Sequence, residues 1–258
     1  MRITPTLCAA AALCVSSMAL AGSPFDGSWR LNQAKSQIAS DTLSFTDGGD
    51  GTLKYADNSE SFSFKPDGSP FTSPSGTQRT FRRNTDGTYT STATLRGVPL
   101  GRVTWNVSAD GKTLMTEVRG TKPNGDWFDD TETYVRSSPG TGLVGAWKST
   151  QVKLSSPNTI TFLTNGEDLT LTVSAIKATC HGKWDGKDYP ATGPTIPDGL
   201  TVSLTTEGPD GFKLVQKLKG KALDVSHFRI ASDGKSMTAK GTDGEGKEPY
   251  TEVFDKQS

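Results

Sequence analysis

The segment Phe25-Asp26-Gly27-Ser28-Trp29-Arg30 returns later in the chain as Leu143-Val144-Gly145-Ala146-Trp147-Lys148. Five further blocks follow in the same order. Gln33-Ala34-Lys35 matches Gln151-Val152-Lys153, and Thr42–Phe45 matches Thr159–Phe162. Ser108–Leu114 matches Ala231–Met237, Gly120-Thr121 matches Gly241-Thr242, and Thr131–Arg136 matches Thr251–Lys256. The offset stays between 117 and 123 throughout, which is the mark of an internal duplication. The expected organisation is two copies of one unit, 22–137 and 142–258, joined by the Pro/Gly stretch 138–141. A unit longer than about one hundred residues can hold its own core. Each copy is therefore expected to fold by itself, with damage to one confined to that copy.

Within a copy the hydrophobic period is two. Leu169-Thr170-Leu171-Thr172-Val173 and Val103-Thr104-Trp105-Asn106-Val107 alternate apolar and polar residues, as strands do when one face is buried and the other wet. Asp-Gly and Asn-Gly pairs, at Asp50-Gly51, Asp86-Gly87, Asp110-Gly111, Asn165-Gly166, Asp210-Gly211 and Asp233-Gly234 among others, punctuate these runs. Such pairs accept positive φ and suit tight hairpins. The fold class expected is all-β: two tandem antiparallel up-and-down β-barrels of about eight to ten short strands each, because closure removes the exposed edges of a long meander. An open β-sandwich is the competing architecture. Only Asn32–Ile38 and its counterpart Thr150–Leu154 leave room for a helical turn.

Residues 1–21 read as an export signal. Arg2 supplies a positive start, Leu7–Leu20 is apolar, and Ala19-Leu20-Ala21 offers small residues for cleavage after Ala21. The expected destination is secreted or periplasmic, with no integral membrane segment once the signal is removed. Cys8 and Cys14 leave with that segment, so Cys180 has no partner for an intramolecular disulfide. The 28 basic and 28 acidic residues balance, which gives no footprint for nucleic acid. Cys180 and His181 point to opposite faces of a strand and make a poor metal or nucleophile pair. The Asp/Gly segments Asp47–Gly51 and Asp243–Glu248 lack calcium-loop spacing, and Arg79, Arg82 and Arg83 read as a solvated strand end. With two His in the chain and no nucleophile elbow, the reading is of a non-enzyme without metal or cofactor.

The pairs Gly27-Ser28-Trp29 with Arg136, and Gly145-Ala146-Trp147 with Lys256, resemble the calycin superfamily of lipocalins and fatty-acid-binding proteins. The layout as a whole resembles duplicated, secreted lipocalin-like bacterial proteins. The resemblance implies that each Trp plugs the closed end of a barrel while the basic side chain packs across its ring, a contact of about 0.5–2 kcal/mol. One departure limits what carries over. Where fatty-acid-binding proteins keep a carboxylate-holding Arg on the last strand, this chain has Glu132 and Glu252.

The expected partner is a small apolar or amphipathic molecule held in a barrel interior, with neutral or cationic molecules favoured over anions. The candidate cavity residues are Trp105, Val107, Glu132 and Tyr134 in the first copy and Phe228, Ile230, Glu252 and Phe254 in the second. Each glutamate reads either as a polar anchor for a ligand or as half of an internal or outward-facing ion pair. The alternative function is a structural or interaction protein of the cell envelope whose barrels are filled by their own side chains.

Overall fold

A computed structural model describes residues 23–38 and 41–258; the expected signal segment lies outside them. The strands in chain order are β1 (Gly27–Leu31), β2 (Thr42–Gly49), β3 (Thr52–Ala56), β4 (Ser61–Phe64), β5 (Phe71–Thr72), β6 (Gln78–Arg83), β7 (Tyr89–Leu95), β8 (Val98–Val107), β9 (Thr113–Thr121) and β10 (Trp127–Arg136). The second set is β11 (Gly145–Lys153), β12 (Thr159–Asn165), β13 (Asp168–Val173), β14 (Ala178–Lys183), β15 (Tyr189–Thr192), β16 (Leu200–Thr206), β17 (Gly211–Leu218), β18 (Lys221–Ile230), β19 (Ser236–Asp243) and β20 (Tyr250–Lys256). They form two ten-stranded antiparallel sheets, one a closed barrel and one nearly closed. The all-β fold of two barrels expected from alternation and turns is what the chain adopts, and it is consistent with a calycin-like architecture. Position along the strand decides burial here: in β12, Phe162 is 1% exposed while the neighbouring Leu163 is 63% exposed, because successive side chains leave a strand on opposite faces.

The barrels do not follow the boundaries of the repeat. The first barrel is β2 to β11, with β11 pairing both β10 and β2. The second is β12 to β20 closed by β1, which pairs β12 and β20. Each copy thus gives its opening strand to the other. This corrects the division into 22–137 and 142–258, and it changes the role of 138–141. That stretch lies in the connection between β10 and β11, inside the first barrel, where Ser137 N donates to Ala146 O (2.8 Å) and Ala146 N to Ser138 Oγ (2.7 Å). The two crossings between barrels meet at Gln33: its amide donates to Val152 O (3.0 Å) and its side-chain oxygen accepts from Leu154 N (2.9 Å).

The exchange also accounts for the helical turns. Gln33–Lys35 is a short 3-10 turn as its segment allows, but Thr150–Leu154 is not helical, because β11 runs on through Lys153 to pair with Thr131 of β10. A second 3-10 turn lies instead at Ser174–Ile176. One turn expectation also moves. Asp210-Gly211 is not a hairpin tip: positive φ falls on Gly208, and Gly211 opens β17 with the Arg229 side chain packed where a Cβ would stand.

In the first barrel β4 and β5 do not pair. Side chains close that seam. Phe64 and Phe71 stack at 5.2 Å between ring centres, and Arg79, packed over Phe62, pairs with the mostly buried Glu60 at 2.6 Å.

Candidate functional site

The ends that carry the two Gly-x-Trp motifs are sealed alike, with exchanged partners. Arg136 lies over the Trp147 ring (4.0 Å from its centre) and Lys256 over Trp29 (5.0 Å). The sequence pairing of Trp29 with Arg136 and Trp147 with Lys256 is corrected accordingly, since β10 neighbours β11 and β20 neighbours β1. Both Trp rings are fully buried, and each indole N–H donates across four residues, Trp29 to Phe25 O and Trp147 to Leu143 O, both at 2.8 Å. The motif glycines have a reason in the same geometry. Gly27 (φ +116) and Gly145 (φ +131) hold left-handed backbone, and a Cβ there would stand 3.1 Å from Lys256 Cε or 2.5 Å from an Arg136 guanidinium nitrogen.

The interiors differ. The first barrel is filled with aromatic rings: Phe45, Phe64 and Phe81 are buried, with Tyr55, Phe62, Phe71 and Trp105 packed against them. Among these rings a void of about 70 Å³ remains, and a separate recess of about 180 Å³ opens beside Asp41, Leu43, Tyr55, Asp57 and Tyr134. Trp105 contacts Phe45 and Phe81 and donates its indole N–H to Ser91 Oγ (2.9 Å). Val107 joins the same core. Glu132 stands apart from these rings, near Tyr134 and the acidic Asp41. Burial, with Glu132 beside it, holds the Tyr134 hydroxyl well above its ordinary value.

In the second barrel the corresponding strands are smaller inside. Where β4 and β5 bring Phe62, Phe64 and Phe71, β14 and β15 bring Ala178, Cys180 and Ala191 to the cavity wall. Here β14 and β15 pair, the sheet closes, and a cavity of about 190 Å³ is left. The stacked pair Phe212–Phe228, 4.5 Å between ring centres, brings Phe228 to its wall. Glu252 also lines the cavity, whereas Ile230 packs against the core and Phe254 is buried within it.

The candidate residues occupy equivalent places in the two barrels. Trp105 faces Thr116, which faces Glu132; Phe228 faces Ala239, which faces Glu252. The Gly120/Gly241 match does not hold at this level. Counting from these pairs, Gly241, opposite Ser226, takes the place that Val118, opposite Val103, has in the first barrel. That glycine matters. The Tyr250 ring lies across it, and a Cβ on residue 241 would come 2.3 Å from Tyr250 Cζ.

Across Gly241 the Tyr250 hydroxyl donates to Asp224 Oδ1 (2.5 Å), and Ser226 Oγ donates to Asp224 Oδ2 (2.5 Å), the two hydroxyls standing 2.6 Å apart. Sequence reasoning did not single out Asp224, Ser226, Tyr250 or Gln216. The signal was present: Asp224, Ser226, Phe228 and Ile230 are alternate residues of one strand, so polar groups two and four residues before Phe228 share its inward face. Burial raises the Asp224 carboxyl against the lowering effect of its two hydroxyl partners. Burial first, and Asp224 second, push Glu252 from its ordinary 4.5 up to about 7. Neither carboxylate has an ion-pair partner among the described residues, and no Lys, Arg or His lines the cavity.

A titration prediction follows. The folded state holds the Glu252 proton more tightly than the unfolded state does, so stability falls as pH rises from about 4.5 through about 7. The shift corresponds to about 3 kcal/mol. Glu252→Gln should remove most of that fall, leaving the variant more stable than the parent at pH 8 and nearly equal at pH 4. Urea unfolding at the two pH values checks this. An unchanged pH profile in the variant would place the carboxyl in solvent.

The remaining polar clusters are structural. Arg79 is tied to Glu60, His227 bonds Glu207 outside the barrel at 2.8 Å, and Asp47 caps Gly49 N (2.9 Å) at a hairpin. No protein-family model matches the sequence, and no curated protein matches it.

Proposed function

We propose that this chain is an exported, lipocalin-like, non-catalytic carrier of a small, largely apolar molecule, in which the second barrel holds the ligand and the first is a filled structural partner. The carrying observation is the space left among the inward side chains, about 190 Å³ in the second barrel against about 70 Å³ among the packed rings of the first. An apolar cavity of about 150 Å³ is enough to bind a benzene-sized molecule. The walls are chiefly aliphatic, so affinity would come from burying apolar surface at about 25 cal/mol per Å². The calycin assignment is supported by the two sealed Trp ends, and export by residues 1–21. Binding is favoured over catalysis because burial raises the lining thiol of Cys180, while His181 faces outward and bonds Thr170 (3.1 Å). The two functions weighed from the sequence, a hollow binder and a filled scaffold, are thereby divided between the two barrels.

Calorimetric titration with phenethyl alcohol, a neutral one-ring probe, tests this. The expected result is one site per chain, abolished by Ala191→Phe, which puts a ring into the cavity wall opposite Cys180, and retained in Trp105→Phe. Two equal sites, or undiminished binding to a folded Ala191→Phe protein, would sink the assignment.

A further inference from the structure

We infer that the ligand of the second barrel carries a protonated amine, seated between Glu252 and Asp224. This rests on the reading of that barrel as the binding one and goes on to name the chemical class. Apart from Thr179 on β14, the polar side chains of the cavity are gathered on one wall: Gln216 on β17, Asp224 and Ser226 on β18, Tyr250 and Glu252 on β20. The opposite wall, from β12 to β16, is mainly aliphatic, with Leu171, Val173, Ala178, Ala191 and Val202. A molecule that satisfies both walls has an apolar body and one polar end.

The charge of the polar wall selects that end. It bears two carboxylates and no cation. The titratable groups that line the cavity with Glu252 are Asp224, Tyr250 and Cys180, and each can add only negative charge. An anionic ligand head would meet like charge at close range in a medium where screening is weak. A neutral hydroxyl could accept or donate a hydrogen bond but would leave the carboxylates uncompensated. An ammonium group has donors to give and no acceptor, and its charge offsets the penalty of burying a carboxylate.

Asp224 is already oriented for this. Two hydroxyls fix its oxygens, and their own positions depend on Gly241 letting the Tyr250 ring cross β19. Glu252 is perturbed by burial and by the Asp224 charge and by no hydrogen bond, and its carboxyl faces the cavity, open to a ligand. In the first barrel the equivalents of Ser226 and Tyr250 are Val103 and Asp130, so this arrangement of two hydroxyls on one carboxylate has no counterpart there. The raised Glu252 carboxyl adds a pH signature. An amine with a pKa near that of lysine stays charged from pH 6 to pH 8, while Glu252 passes from mostly protonated to mostly ionised. Amine affinity should therefore rise across that interval.

The experiment is calorimetric titration of the full chain with phenethylamine, phenethyl alcohol and phenylacetate, at pH 6 and pH 8, for the parent and for Glu252→Gln. Charge-assisted hydrogen bonds of this kind are worth about ten- to a hundredfold in affinity. The expected result is that the amine binds the parent at least about tenfold more tightly than the alcohol at pH 8, with the carboxylate weakest. Amine affinity should fall at pH 6, alcohol affinity should hold, and Glu252→Gln should bring amine and alcohol together. Alcohol binding with no amine preference, or an amine preference that Glu252→Gln leaves intact, would overturn the amine assignment while the cavity reading stood. Failure of all three probes with a folded parent chain would overturn both.

Discussion

Replacing Trp29 with Ala is expected to damage the second barrel, more than one hundred residues away in sequence, and to leave the first barrel as it was. Trp29 sits in one core with Phe162, Phe212, Met237 and Phe254, all contributed by the later half of the chain. Trp147 sits with Leu43, Phe45, Phe81 and Leu114 from the earlier half. Both rings are fully buried, and deleting a buried aromatic costs about 3–5 kcal/mol. Trp147→Ala should accordingly loosen the first barrel and spare the second. This reverses what the repeat boundaries suggest. Amide hydrogen exchange resolved by peptide separates the two: faster exchange of β12–β20 in Trp29→Ala, and of β2–β10 in Trp147→Ala. The opposite assignment would show that each copy closes on its own opening strand.

A chain beginning at residue 41 should keep its first barrel and lose its second. The first barrel is continuous in sequence, from Thr42 of β2 to Lys153 of β11. The second needs β1 between β12 and β20, where Trp29 faces Ile160 on one side and Lys256 on the other. Without it two ladder edges lie open and Lys256 has no ring to cover. A fragment ending near residue 156 should give a single cooperative melt like that of the first barrel in the full chain. The longer truncation, 41–258, should show protected amides only in 42–153, and a synthetic peptide of residues 23–38 should restore protection to the rest. Full protection of 159–256 without the peptide would sink the exchange. Halves cut at the repeat boundary are less informative, because 22–137 and 142–258 each retain a Gly-x-Trp strand of their own and either strand can fill the vacant place.

The division of volume between the barrels was half-legible. The candidate positions Trp105, Phe228, Glu132 and Glu252 occupy the cross-strand levels that their match between copies implies. Which interior is hollow depends on residues outside the matched blocks: Phe62, Phe64 and Phe71 in one copy against Ala178, Cys180 and Ala191 in the other. Close packing fills a barrel when rings face inward and leaves space when methyl groups do. The polar wall was readable in principle from the alternation of β18. The contact that completes it lies outside that alternation, because Tyr250 reaches Asp224 only over a glycine, across β19, where no local pattern extends.

By itself the sequence determined whatever follows from short-range chemistry. Alternation at period two made strands, Asp-Gly and Asn-Gly pairs made most of the hairpins, the duplication made two barrels, and the Gly-x-Trp segments with their distant basic residues made two sealed ends. Only the tertiary structure decided which opening strand closes which barrel. The duplication makes β1 and β11 near-equivalent, each with a positive-φ glycine, a buried Trp and a site for a covering cation, so pairing energy along the strand hardly separates the two arrangements. The choice falls to contacts that accompany this pairing of the opening strands. Gln33 bridges the two crossing segments, Gln37 pairs with Thr251, and Arg136 holds the carbonyls of Gly111 and Gly142 around the turn into β11.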